Sequence, residues 1–392
     1  MSLGSDANSP ARSTAGSPQT ARVAEVLRAR QVRSVVYFHC DHFEPWRNVH
    51  GTVSAANAEH IRRFFEVTAR IDVARKLSLF YRPHLKPTVT AEPGAVFPEG
   101  SPLGFVRPTD EAVAVARSGI GQIATSGHAL HLHLHHERVT NNEGFSRQSK
   151  WADWLARENS PDADRRRMLL MIDLSLEQVA RETGVTLSDW FFIHGNFALN
   201  GSDRKVCAID DEILLLQSRG CRGDFTFPAE PPHDCANPTF EEPSFVRPFS
   251  APKCYDRPEA GRRPAWGAPP AETAGMYFIW AAQPDAYSYV LLDYHQPWVQ
   301  ALCQAPALWA QTIARRALVH DGTLYFQTYA HSMSLKNVVD GKPVFPHDHG
   351  PIRSMFGTFM DAAASAGAEI SFATVDEVVS RIIGRRGPSG ES

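Results

Sequence analysis

Cysteine is scarce in this chain, with six in 392 residues: Cys40, Cys207, Cys221, Cys235, Cys254 and Cys303. None stand as a Cys-x-x-Cys pair, which argues against a disulfide framework and leaves the cysteines as small, reduced core residues. Long apolar runs are also missing. No stretch approaches the roughly 20 residues that span a bilayer. The opening MSLGSDANSPARSTAGSPQTAR lacks the apolar centre of a signal peptide, so a cytoplasmic location with no membrane span is expected. Nor does either charge dominate: 40 basic against 43 acidic side chains give a formal net charge of -3. Such a balance provides no generic attraction to nucleic acid or anionic lipid, so partners have to be recognised at a specific site. Internal repeats are absent as well.

What remains is enough apolar material, 43% of the residues, to bury a full core. Residues 1–22, rich in Ser, Ala, Gly and Pro, have the composition of a flexible tail. Residues 30–385 then form a single domain. The run SVVYFHC (34–40) is β-branched and aromatic and stops at Asp41, His42 and Glu44, as a buried strand does where it enters a functional loop. An amphipathic helix is expected over about 54–76, and six prolines between Pro83 and Pro108 exclude regular helix there. DEAVAVARSG reads as a short helix stopped by Gly119, and a long helix over 161–183 ends at Gly184. Strands follow at WFFIH, GDFTF, GMYFIWA, TLYFQTY and EISFAT, with helices between most of them, and 228–272 is a proline-rich irregular insertion. Strands alternating with helices favour a parallel α/β fold, and a barrel suits this length.

The densest chemistry is ALHLHLHHE (129–137). On a strand His131, His133 and His135 share one face and the leucines the other. The leucines then face helices, and the histidines face whatever the sheet encloses. Imidazoles two residues apart, about 6.5–7 Å along the strand, can converge on one cation at bond lengths of ~2.0–2.1 Å. Other strand ends carry similar groups: Asp41, His42 and Glu44 in DHFEP, His194 and Asn196 in IHGN, Asp224 in GDFTF, and Tyr329 and His331 in TYAHS. In a parallel barrel the C-terminal ends of the strands meet at one face, so these groups are expected to assemble there.

Taken in order, DHFEP, HLHH, IHGNFAL and the GC shortly before DFTFP resemble motifs of a bacterial branch of the polysaccharide deacetylase (NodB-homology) superfamily. That branch usually has Trp where this chain has Phe197, and Cys-Tyr-Ala-Asp where it has Cys221, Arg222, Gly223 and Asp224. The resemblance covers about 33–250 and the strand before His331. It implies a distorted (β/α) barrel of about seven strands, here with long proline-rich insertions, and a hydrolase removing N- or O-acetyl groups from a sugar or glycan-type small molecule. It also implies one divalent metal ion, zinc foremost, with cobalt, nickel, manganese or iron as the other ions such ligands accept.

By the correspondence Asp41 would be the base and His42 a ligand; alternatively Asp41 binds the metal and Glu44 is the base. The superfamily spaces its histidines four apart, but position 137 is Glu137, so His133 and His135, with His136 beside them, take the ligand role. His331 is the nearest match to the superfamily's histidine acid, with His194 as the other candidate. Its arginine motif has no evident counterpart, and HGN stands in its place. Asn196 would donate to the oxyanion or the sugar, and Asp224 would support the site. Two further readings use the same residues: phosphoesterase or amidohydrolase chemistry, and a non-catalytic glycan-binding or assembly protein with a degenerate site.

Overall fold

The computed structural model describes residues 17–45, 58–69, 76–83, 110–134, 161–203, 207, 209–226, 237–281, 287–334, 338–339, 342–343, 345 and 348–384. Helix α1 (Pro18–Ala29) leads into β1 (Ser34–Phe43), followed by α2 (Ala58–Thr68), β2 (Leu77–Tyr81), α3 (Asp110–Thr125), β3 (Ala129–Leu134), α4 (Pro161–Thr183) and β4 (Trp190–His194). Next come α5 (Glu212–Gln217), β5 (Cys221–Asp224), β6 (Ser244–Val246), β7 (Arg263–Pro264), β8 (Tyr277–Ile279) and the helices α6 (Tyr287–Val290), α7 (Pro297–Gln304) and α8 (Pro306–Arg316). The chain closes with β9 (Leu318–His320), β10 (Thr323–Ala330), a small ribbon of β11 (Val338–Val339) and β12 (Lys342–Pro343), then α9 (Gly350–Ser365), β13 (Glu369–Phe372) and α10 (Val375–Ile382).

The large sheet has the order β7-β6-β8-β5-β4-β3-β2-β1-β10-β9, with β13 also on β1. From β8 through to β10 the neighbours run parallel, so their C-terminal ends lie along one edge. Strand β1 is central: β10 pairs along Ser34–Asp41, while β13 holds Ser34–Tyr37 and β2 holds His39–Phe43. The sheet curls strongly. β1 and β8 are five strands apart, about 24 Å in a flat sheet, yet the rings of Phe38 and Trp280 lie 5.0 Å apart. Beyond β8, Leu292 N–H donates to the Tyr329 carbonyl at 2.9 Å, beside a parallel bridge from Leu291 to Tyr329.

Strand alternation separates two kinds of core. Val36, Phe38, Cys40, Phe80, Phe191, Ile193, Phe278 and Tyr325 fill the concave face. The alternate residues Leu79, Leu130, Leu132, Leu134 and Phe192 pack against the helices, as do Val35 and Tyr37 near α1, α8 and α9. The leucines of the histidine strand thus face helices as expected, and His131 lies on the concave side beside Phe80 and Phe191, at ring separations of 5.0 and 5.4 Å.

Three local expectations need correction. Helix α1 begins at Pro18, within the stretch assigned to a tail; the Ser17 side chain caps it, and buried Thr20, Val23 and Leu27 anchor it. Helix α3 runs past Gly119 to Thr125, because that glycine lets α2 approach: a Cβ there would lie 2.1 Å from the Phe65 ring. The described part of 228–272 is not irregular throughout: β6 pairs antiparallel with β8, and Pro264 sits in the two-residue strand β7, where no central ladder bond is lost. Among the described residues no helix is long and apolar enough to cross a membrane.

Close packing of β5 on β8 requires Gly223, since a Cβ there would lie 2.7 Å from both the Cβ and the carbonyl oxygen of Phe278. Gly223→Ala is expected to destabilise the protein by about 1–3 kcal/mol through overpacking, seen as a lower urea midpoint at unchanged slope.

Candidate active site

The C-terminal end of β1 delivers side chains to both faces of the sheet. His42 continues the concave row of Phe38 and Cys40, and Asp41 points to the other side. The His42 ring lies 4.8 Å from that of His133 and 4.7 Å from that of His331, and it stacks on Tyr329 at 5.2 Å. Glu44, just past the strand, is buried with its Oε1 at 2.9 Å from Arg82 Nη1 and 3.5 Å from His133 Nε2. Arg82 follows β2 directly, and its own N–H donates to the Phe43 carbonyl at 3.0 Å. His133 Nδ1 lies 2.9 Å from the Ile193 carbonyl, so Nδ1 donates there and Nε2 is turned toward Glu44.

His331, one residue past β10, is gripped twice by Asp293. Its backbone N–H donates to Oδ1 at 2.7 Å, and its ring Nδ1 donates to Oδ2 at 2.7 Å. Burial pushes the Asp293 carboxyl up, but the charge and hydrogen bonds of His331 outweigh this and hold it below the usual carboxylate range. The His331 side chain keeps 25% of its surface exposed, whereas that of His133 keeps 2%, so His331 is the member of the group that solvent reaches.

Asp41 is 1% exposed. Its Oδ2 accepts from the Ser332 hydroxyl and lies 3.5 Å from His39 Nε2, while Oδ1 has no hydrogen-bond partner among the described residues. Burial pushes this carboxyl up to about 7, with the Ser332 hydroxyl and the His331 charge pulling the other way. His39 is neutral at physiological pH, since burial lowers its imidazole to about 3, and its Nδ1 is tied to Thr328 at 2.9 Å.

The structure therefore brings Asp41, His42, Glu44, His133 and His331 to one edge. His135 and His136 lie outside the described residues. Asn196 stands in the 3-10 turn Gly195–Phe197 that follows β4. His194 is carried to the opposite face from Ile193, where it lies with Phe192 and Glu212 rather than with His42 and His133. Asp224 is on its side of the chemistry: it accepts from Thr226 N–H at 2.8 Å and Thr226 Oγ1–H at 2.9 Å, and Thr226 Oγ1 in turn accepts from His194 N–H at 2.8 Å.

His194 belongs to a second buried polar group. With Cys207 and Glu212 it offers three donor atoms all within 4.8 Å of one another, a set able to hold a metal ion. Burial, and then the Glu212 charge, push the Cys207 thiol well above its ordinary range.

Sequence reasoning missed Arg82, Asp293, Ser332, Cys207 and Glu212. Arg82 and Asp293 each follow an apolar run, LSLFY and VLL, and a charge placed immediately after a buried strand was the available signal. Cys207 and Glu212 had none, because a thiol in a loop and a carboxylate in a first helical turn are ordinary.

No protein-family model matches the chain, and no curated protein matches its sequence. Among solved structures, one described as "Crystal structure of putative polysaccharide deacetylase from Mycobacterium smegmatis" aligns over 92% of this chain and 96% of its own, at 11% identity and a TM-score of 0.42.

The Asp293–His331 pair yields a pH-dependent expectation. A carboxyl held below its unfolded value adds stability that is present above that value, near 3.8, and is lost as pH falls through the folded value. Asp293→Asn should cost about 2 kcal/mol at pH 7, and the gap to wild type should shrink below about pH 4. Urea unfolding at pH 7 and pH 3 measures both.

Proposed function

We propose that this chain is a metal-dependent hydrolase of the deacetylase type, removing an N- or O-acetyl group from a sugar, glycan precursor or related amide. One observation supports it above the others: His42, His133 and Glu44 gather at the strand edge that also carries the buried Asp41 carboxyl and a carboxylate-held histidine that solvent reaches. The curled sheet would close as a distorted (β/α) barrel, its seam near Leu291 and Tyr329.

The donor types suit a divalent ion, since imidazole and carboxylate are groups that zinc, cobalt, nickel, manganese and iron accept. His42 and His133 would hold the ion. When bound there, the ion supplies Lewis acidity toward an acyl carbonyl and lowers the pKa of a water molecule.

Asp41 is the base. Burial raises the proton affinity of this carboxyl, and as it takes a proton its negative charge leaves a dry environment. His331 is the acid: with Nδ1 committed to Asp293, it delivers a proton from Nε2 to the leaving nitrogen or oxygen. Asp293 sets the ring's tautomer and orientation. Arg82 neutralises Glu44 and holds it beside His133, whose ring is oriented by the Ile193 carbonyl. Asn196, in the turn after β4, would donate to the developing oxyanion or to the sugar. His194 and Asp224 brace β4 and β5 and take no part in the proton transfers.

Elemental mass spectrometry and an acetate-release assay on N-acetylated chitooligosaccharides test this. His42→Ala/His133→Ala should lose about one metal equivalent per chain and all turnover. His331→Ala should keep the metal and lower kcat about 10²–10⁴-fold. Unchanged turnover in His331→Ala, or phosphate rather than acetate release from the corresponding substrates, would sink the assignment.

A further inference from the structure

We infer that His194, Cys207 and Glu212 form a second metal site, structural in role and suited to zinc, on the convex side of β4 and independent of the proposed catalytic centre. The spacings suit donors gathered round one ion, which at bonds of ~2.0–2.3 Å keeps its ligand atoms roughly 3.4–3.6 Å apart. Here the Glu212 carboxylate faces both partners: His194 Nε2 lies 3.6 Å from its Oε1 and Cys207 Sγ 3.5 Å from its Oε2, and one donor atom from each of the three residues falls within 4.8 Å of the others.

Charge supports the same assignment. All three residues are buried, with His194 1% and the other two 0% exposed. A thiolate, a carboxylate and a neutral imidazole sum to -2, which one divalent cation cancels. The ring is placed for it: His194 Nδ1 lies against the Gly195 carbonyl and the Ala198 N–H, and Nε2 faces Glu212. Gly201 N–H points at the Cys207 sulfur at 3.3 Å, and Asn200 N–H at Glu212 Oε2 at 2.6 Å, both suited to anionic ligands. The Ile209 carbonyl oxygen stands 3.7 Å from the same sulfur.

The backbone around the group is held in place. Phe197 and Asn200 adopt left-handed conformations, with φ of 56° and 53°, which non-glycine residues keep only where their surroundings over-determine them. The Asn200 side chain donates to the carbonyls of Asp210 and Ala251, at 2.9 and 2.7 Å, and accepts from Ile213 N–H at 3.0 Å. An ion here would tie the end of β4 to the start of α5. Ile193, adjacent to His194, supplies the carbonyl that orients His133, so the site would steady the catalytic strand from behind.

The test uses the full chain, stripped with chelator under reducing conditions and titrated with cobalt(II). A near-ultraviolet thiolate-to-cobalt absorption is expected in wild type, retained in His42→Ala/His133→Ala and abolished in Cys207→Ser together with one metal equivalent. Where circular dichroism shows that Cys207→Ser fails to fold, Glu212→Gln serves instead, with cobalt binding at this site weaker by about tenfold or more. No such band in folded wild type, a band that survives Cys207→Ser, a band lost with the His42/His133 pair, or undiminished affinity in Glu212→Gln would each overturn the proposal. Because the band reports a thiolate that the catalytic centre lacks, its outcome is distinguishable from failure of the acetate-release assay.

Discussion

A charge taken out of water has to be answered by a partner, and the C-terminal edge of this sheet is organised by that requirement. An uncompensated buried ion costs several kcal/mol, more than the roughly 1.5–3 kcal/mol that a buried aliphatic side chain contributes. Glu44 is therefore answered by Arg82, and Asp293 by the ring and backbone of His331. Asp41 is the exception. The His39 imidazole beside it is held neutral by burial, so Ser332 supplies the main hydrogen bonds and the carboxyl keeps a raised affinity for protons.

The second constraint is strand alternation. Consecutive residues on β1 and β4 point to opposite faces, so Asp41 and His42 serve different surroundings, as do Ile193 and His194. In register, His133 sits opposite Ile193 and Leu134 opposite His194. His133 thus faces the concave side and His194 the helix layer, although both stand near the ends of parallel neighbouring strands. The resulting groups are chemically distinct: imidazole and carboxylate on one side, and imidazole, thiol and carboxylate on the other.

Much of the fold was legible from periodicity. The helix expected over 161–183 and the strand WFFIH coincide with α4 and β4, and the strand and helix at the end of the chain fall within a few residues of β13 and α10. Local composition misled where a single contact outweighed it: Ser17 and Pro18 start a helix because downstream Val23 and Leu27 can be buried, and Gly119 continues one because Phe65 needs the space. The candidate site was legible in part. The polar residues that interrupt apolar strands were visible, but their partners Arg82 and Asp293 were not, because a charge beyond a strand acquires meaning only from what lies opposite.

By itself the sequence determined the alternation of strands and helices and the placing of His42, His133 and His331 at strand ends. Those properties follow from residue spacing along a pleated or helical backbone, which is local. Only the tertiary structure decided which residues meet. Asp293 and His331 are 38 residues apart, and Asp41 and Ser332 are 291 apart. His194 was turned from the pocket to Cys207 and Glu212 by the parity of β4. Such pairings depend on the order of strands and the curl of the sheet, and these emerge only when the whole chain packs.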